Sequence, residues 1–260
     1  MNDIRKIAVC GKGGVGKTTF ASVLVHLIAK EGNEVFAIDA DPNSTLAEAL
    51  GVSSKIADAI TPIIEMRELI AERTGSRPGE FGSYFKLNPR VKDIPSNYSV
   101  KFRGINILKM GETKGAEKGC ACPENTMVKA LMSHLIVKEK ETVVLDMVAG
   151  TEHMGRGTAK AVDVLFVVVE PGTRSIKAAK QFYQMAEQLG IQQIYFVGNK
   201  IRNDEDKGYI IKEMNGFKIS GFLPQSEKIV SAERSGKAIF DCDPEYNQNV
   251  SNILTMVRQG

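Results

Sequence analysis

Tryptophan is absent from the 260 residues, aromatic residues make up only 7%, and cysteine occurs four times. Cysteines at positions 10, 120, 122 and 242 do not make the dense pattern of a secreted disulfide scaffold. Reduced thiols in a cytoplasmic protein are the expectation. Long apolar runs are missing too. The longest, Val164 to Val169, falls far short of the roughly 18 residues that a membrane-spanning helix needs. The amino terminus leads from Met1 to Lys6 into a strand-like segment without a signal-peptide pattern. Charge of one sign is scarce: 34 Lys and Arg against 31 Asp and Glu leave a formal +3. That surplus points to neither a nucleic-acid partner nor an anionic membrane. With 43% hydrophobic residues the chain has the composition of a globular protein. Its length predicts one domain over 1–260, large enough to bury about 75% of the unfolded surface.

Apolar runs alternate with helical patterns from end to end. Strands are expected at Ile4–Cys10, Glu34–Ala40, Ile105–Met110, Thr142–Met147, Val164–Val169, Ile194–Val197 and Lys218–Phe222. Helical spacing follows Lys17, then covers Asn43–Leu50, Lys55–Arg73, Pro123–Lys138, Ser175–Leu189, Glu205–Met214, Lys228–Ser235 and Glu245–Val257. Pro123 suits a first helical turn, where its missing N–H costs nothing. Short all-apolar strands between helices predict an α/β fold, a doubly wound, mostly parallel sheet covered on both faces. The stretch from Gly75 to Arg103, rich in Gly, Pro, Asn and Ser, is expected to be an irregular excursion from that domain.

The strongest local signal is Gly11-Lys12-Gly13-Gly14-Val15-Gly16-Lys17-Thr18-Thr19. It satisfies G-x-x-x-x-G-K-[ST] and lies between a predicted strand and a predicted helix, as a phosphate-binding loop requires. Gly13, Gly14 and Gly16, with Val15 between them, let successive backbone N–H groups aim at phosphate oxygens, and the helix start adds its positive dipole end. Lys17 would contact the β- and γ-phosphates of ATP, the Thr18 hydroxyl would ligate Mg²⁺, and Thr19 would reach the α-phosphate. Two apolar strands end in carboxylates: Asp39-Ala40-Asp41-Pro42, and Asp146 in Val143-Val144-Leu145-Asp146. Strand ends of a doubly wound sheet are where ligands bind, and Asp146 stands where a carboxylate holds Mg²⁺ directly or through water. The Gly150 N–H would approach the γ-phosphate.

With the extra lysine Lys12, the loop resembles the deviant Walker A of the MinD/ParA/nitrogenase-iron-protein ATPases. The resemblance implies that Lys12 crosses a homodimer interface to the partner's nucleotide and neutralises transition-state charge, as an arginine finger does. It implies that Asp41 orients the attacking water, with Asp39 behind it. It also implies that Asn199, followed by Lys200 at a strand end, meets the adenine edge. Pro224 and Gln225 would form the other wall of the base pocket.

Cys120-Ala121-Cys122 precedes the helix that starts near Pro123, beside Lys114 and Lys118. Thiols so placed ionise readily and suit soft metals. A closed tetrahedral sulfur site needs four thiolates, so two copies of the chain would share one metal ion or cluster. A redox pair and two incidental loop residues are the alternatives. Cys10 reads as an inert core residue, Cys242 has no partner nearby in sequence, and His26 and His134 read as structural. His153, just after the Asp146 strand, is a weaker candidate for sensing the nucleotide.

Beyond the loop, Asp39–Pro42, Ile60–Met66, Cys120-Ala121-Cys122 and Arg156–Asp163 resemble the CooC-type accessory ATPases. That family assists nickel insertion into carbon monoxide dehydrogenase and acetyl-CoA synthase. The resemblance spans most of the chain and implies an ATP-hydrolysing homodimer that binds a divalent metal at Cys120 and Cys122 and serves a nickel enzyme as client. Two other expectations compete with it. A MinD/ParA-like positioning switch at membrane or DNA would want a basic amphipathic tail, whereas Ser251–Gly260 holds one cation. An iron–sulfur electron-transfer ATPase takes its cluster cysteines from widely separated positions, unlike this pair.

Overall fold

The apolar runs become the strands of one sheet in the computed structural model, which describes residues 4–79, 84–111, 122–137, 141–147 and 159–259. In chain order the strands are β1 (Lys6–Gly11), β2 (Val35–Ala40), β3 (Val100–Phe102), β4 (Ile105–Lys109), β5 (Thr142–Met147), β6 (Val164–Val169), β7 (Ile194–Ile201) and β8 (Ile219–Pro224). They lie side by side as β3-β4-β2-β5-β1-β6-β7-β8. Every pair is parallel except β3 with β4, where Val100 faces Ile107. The strands are apolar on both faces because helices cover both.

Successive residues of β1 feed the two core layers. Ile7 and Val9 join Phe20 and Leu24 of α1 (Lys17–Lys30), Leu46 of α2 (Leu46–Ala49) and several carboxy-terminal side chains. Ala8 and Cys10 face the other way, in one core with Ile70, Leu131 and Ile176. Those three come from α4 (Arg67–Thr74), α6 (Pro123–Val137) and α7 (Thr173–Leu189), introduced after the short α3 (Ser54–Ala59) and α5 (Ile94–Tyr98). Burial pushes the Cys10 thiol up to about 12, so it stays protonated and inert. The carboxy-terminal elements are α8 (Asp204–Glu213), α9 (Glu227–Arg234), α10 (Ile239–Cys242) and α11 (Pro244–Gln259). Along α11, Tyr246, Val250, Ile253, Leu254 and Val257 are all buried, so its apolar stripe is spent on the core. Cys242 is half-buried against the same core, and His26 stacks on Phe240 with ring centroids 4.0 Å apart. Among the described residues, no helix is long and apolar enough to cross a membrane.

Three boundaries depart from the sequence expectation. The helix expected over Lys55–Arg73 is broken into α3, a 3₁₀ turn at Ile63–Glu65, and α4. Pro62 is the cause, since it lacks an N–H and turns the residue before it away from helical angles. The expected excursion holds regular structure: α5, and the edge strand β3 paired with β4. Arg73 donates to Asp93 from both terminal guanidinium nitrogens, at 2.9 and 2.8 Å, and ties this segment to α4. Finally, β7 runs on to Ile201 with an irregularity between Gly198 and Ile201, which carries Asn199 and Lys200 within it.

Beyond β4 the chain is fastened at two points. The Met110 N–H donates to the Asp39 carbonyl at 2.8 Å, and the Met110 carbonyl accepts the Ile64 N–H at 3.2 Å. Gly111 follows with φ +81°, and a Cβ there would run into Ile64 and Pro62.

Candidate nucleotide site

β1 ends at Gly11 under the centre of the sheet's carboxyl edge, and α1 starts at Lys17. Gly11 has φ +154°, and a Cβ there would stand 2.6 Å from the Val168 carbonyl oxygen. Gly16 begins the helix at φ +93°, and its Cβ would collide with the Asn199 amide nitrogen. Both positions therefore need glycine, for space as well as for backbone angle. No side chain caps α1 at Gly16, which leaves the amides of its first turn to an anion. Gly13 and Gly14 are exposed at the loop tip, and Val15 is buried beneath it. Lys12 is half-buried, and its carbonyl accepts the Val15 N–H at 3.3 Å.

The carboxylates meet this loop from neighbouring strands. In the sheet register Lys109, Asp39 and Asp146 stand abreast on β4, β2 and β5, with Asp146 beside Val9 of β1. Lys109 is turned to the Ala57 carbonyl at 2.8 Å. Asp39 is fully buried and accepts the N–H groups of Asp41 (3.2 Å) and Leu46 (2.9 Å), so it shapes the turn that presents Asp41. Asp41 accepts the Asn43 N–H with one oxygen and faces the Lys17 ammonium with the other, at 3.6 Å. Asp146 is fully buried, and one of its oxygens accepts the Thr18 hydroxyl at 2.5 Å. Its other oxygen, Oδ1, is buried with no hydrogen-bond partner among the described residues.

Burial raises the Asp146 carboxyl to about 7. The Thr18 bond and Lys17 oppose that rise, and Asp39 and Asp41 add to it. Burial raises Asp39 as well, against the pull of its own hydrogen bonds. An orphaned carboxylate oxygen, a hydroxyl beside it and a surplus of negative charge form a hard oxygen donor set, and the residues present fit a Mg²⁺ ion.

Asn199 and Lys200 lie against the loop itself. The Asn199 amide donates to the Val15 carbonyl at 2.7 Å, and the Lys200 ammonium donates to the Gly14 carbonyl at 2.6 Å. Pro224 closes β8 opposite Ile201, and the Gln225 N–H donates to the Ile201 carbonyl. A cavity of about 380 Å³ opens beside Thr18 and Thr19 and is lined by Ser22 of α1, Glu48 of α2, and Glu233 and Lys237 near the end of α9. These last four residues were not singled out in the sequence analysis. Ser22 carried a signal, lying one helical turn beyond the loop threonines, whereas Glu233 and Lys237 reach the cavity only through the fold. Cys120, Gly150 and His153 lie outside the described residues. Cys122 is half-buried, and its carbonyl accepts the Thr126 N–H at the start of α6.

Comparison with known proteins agrees with this geometry. The family model of the CobQ/CobB/MinD/ParA nucleotide binding domain matches residues 6–240. The chain is 44% identical over 249 residues to the carbon monoxide dehydrogenase accessory protein CooC of Rhodospirillum rubrum, covering 96% of this chain and 94% of the relative. An ATP-binding protein of Methanocaldococcus jannaschii is 43% identical, with 97% of each chain covered. Among solved structures, a ParA family ATPase from Chlorobium tepidum superposes with a TM-score of 0.69 at 16% identity, over 97% of this chain and 99% of that one. Agreement that runs nearly from end to end, and not only across the loop, places this chain among the ATPases of the CobQ/CobB/MinD/ParA nucleotide-binding family.

Proposed function

We propose that this protein is an accessory ATPase for a nickel enzyme of the carbon monoxide dehydrogenase type, acting as a homodimer with Ni²⁺ or Zn²⁺ as cargo on Cys120 and Cys122. The observation that carries the proposal is the 44% identity, along nearly the whole chain, to a protein named for carbon monoxide dehydrogenase. Identity confined to the loop would support only nucleotide binding.

In this mechanism the β- and γ-phosphates draw the Lys17 ammonium away from Asp41, 3.6 Å distant. Asp41, held by the Asn43 N–H, then has an oxygen free to orient the water that attacks the γ-phosphorus. The bond to the β-phosphate oxygen breaks, and ADP and phosphate are released. Thr18 and Asp146 would hold Mg²⁺, which would supply charge neutralisation on the phosphates when bound. Lys12 of a second copy offsets the charge that develops as the bond breaks. The cavity beside Thr19 takes the nucleoside. Two copies bring four thiolates together, the number a closed sulfur site needs.

The Cys120→Ser/Cys122→Ser double variant tests the cargo site. We expect it to lose stoichiometric nickel or zinc in metal analysis while ATP affinity stays within about threefold of wild type. Metal binding unchanged from wild type would refute the assignment.

A further inference from the structure

We infer that Lys200 is a positioning residue for the phosphate loop, holding the Gly14 carbonyl outward with Glu170 as its counter-ion, and that it does not read the base. The inference rests on Gly11–Thr18 being the phosphate cradle. Three observations carry it.

The first is the contact. The Lys200 ammonium donates to the Gly14 carbonyl at 2.6 Å and stands 3.3 Å from a Glu170 carboxylate oxygen. Glu170 follows β6, and its backbone N–H is held by the Ser175 hydroxyl at 3.1 Å. The counter-ion is thus anchored to the start of α7. A lysine engaged in this way has its charge committed to the loop.

The second is backbone strain. Lys200 has φ +57°, and only one other non-glycine among the described residues, Arg103, has positive φ. A long side chain adopts the left-handed region only where its surroundings impose it. The β7–β8 pairing slips between Gly198 and Ile201, which lifts residue 200 out of the ladder and over the loop.

The third is the pairing of neighbours. Asn199 and Lys200, consecutive on β7, hold the carbonyls of Val15 and Gly14, consecutive in the loop. In a trans peptide unit the carbonyl and the next N–H point opposite ways. Drawing these two carbonyls toward β7 therefore turns the N–H groups of Val15 and Gly16 away from it. The Val15 N–H meets the Lys12 carbonyl at 3.3 Å, a long bond that a phosphate oxygen can replace. Gly13 and Gly14 at the exposed tip lack the Cβ that restricts backbone rotation, so a carbonyl there turns into the cradle more readily than in any other residue. Lys200 supplies that restraint.

A base-reading lysine and a loop-holding lysine differ in what their loss removes. Lys200→Met, Lys200→Arg and Glu170→Gln in the full chain would be titrated with magnesium tripolyphosphate, which has no base, and with ATP and GTP. Hydrolysis of ATP would be followed alongside. We expect Lys200→Met to weaken all three ligands by a common factor of about tenfold, the size of one charge-assisted hydrogen bond. KM should rise more than kcat falls, and the ratio of ATP to GTP affinity should stay constant. Lys200→Arg should restore binding to within about twofold, a rescue that general damage to the fold would not show. Unchanged tripolyphosphate binding in Lys200→Met, with or without an altered ATP-to-GTP ratio, would overturn the assignment. If Lys200→Met does not fold, Glu170→Gln carries the same comparison with the same outcomes, its loss smaller. Failure of wild type to bind tripolyphosphate would instead refute the cradle itself.

Discussion

Replacing Asp146 with asparagine should change how the stability of the ligand-free protein depends on pH. Asp146 is fully buried, and burial is the main cause of a carboxyl raised to about 7. In the unfolded chain the same group titrates near 3.9. The folded state therefore binds the extra proton between those two values. Its contribution to stability is complete below about pH 4 and is lost as pH rises through 7. Integrated from pH 5 to pH 8, that loss is about 2.5 kcal/mol, or about 1 M in a urea midpoint for a chain of this size. Asparagine cannot ionise, yet it keeps an oxygen for the Thr18 hydroxyl. Urea unfolding of wild type and Asp146→Asn, at pH 5 and pH 8 with chelator and without nucleotide, isolates the effect as a double difference. Asp39, also raised by burial, is present in both proteins, so most of its contribution cancels. We expect wild type to lose about 2 kcal/mol more than the variant over this range. Equal losses would show that Asp146 does not take up its proton in that window, and the account of its burial would be wrong.

Two further outcomes follow from the same geometry. Asp41→Asn should lower kcat by about a hundredfold or more, the usual size of a lost proton acceptor, while affinity for a non-hydrolysable ATP analogue stays within about threefold. An unchanged single-turnover rate would remove Asp41 from the reaction. Gly111→Ala should destabilise the protein by about 1–3 kcal/mol, because its φ is +81° and its Cβ would meet Ile64 and Pro62. Thermal unfolding coincident with wild type would show that the contact after β4 yields freely.

Most of the fold was legible because the information was local. Six-residue apolar strands, glycines between β1 and α1, and Pro123 at the first turn of α6 each carry their own physical reason. Asp39 and Asp146 were legible for the same reason, each being the only charged residue in its apolar strand. What was missed depends on distant partners. β3 is three residues of mixed burial that become a strand only because β4 lies alongside. The break at Pro62 was visible in the sequence, but helical periodicity on both sides outweighed it. Lys200 is the instructive case. The expectation of a base contact fell on its neighbour Asn199, and the carbonyl its own ammonium meets lies 186 residues away, reached through an irregular register that no periodicity announces.

The two halves of the proposed function, phosphate chemistry and a thiol-bound ion, need a physical connection, because coupling requires an element that both sites can bias. Asp39 stands where such a connection would begin. Its carboxylate holds the backbone N–H groups of Asp41 and Leu46, and its carbonyl holds the Met110 N–H. The Met110 carbonyl holds Ile64, whose 3₁₀ turn packs on α6, and α6 starts directly after Cys122. Two of these links, Met110 to Asp39 and Ile64 to Met110, are backbone bonds, and the other two are backbone N–H groups held by the short Asp39 carboxylate, all of 3.2 Å or less. On the proposed function, a shift of the Asp39–Asp41 turn as Lys17 turns to the phosphates would be felt at Met110, and through it at the turn that packs on α6. These contacts form a continuous series from the turn that presents Asp41 to the helix that begins directly after Cys122.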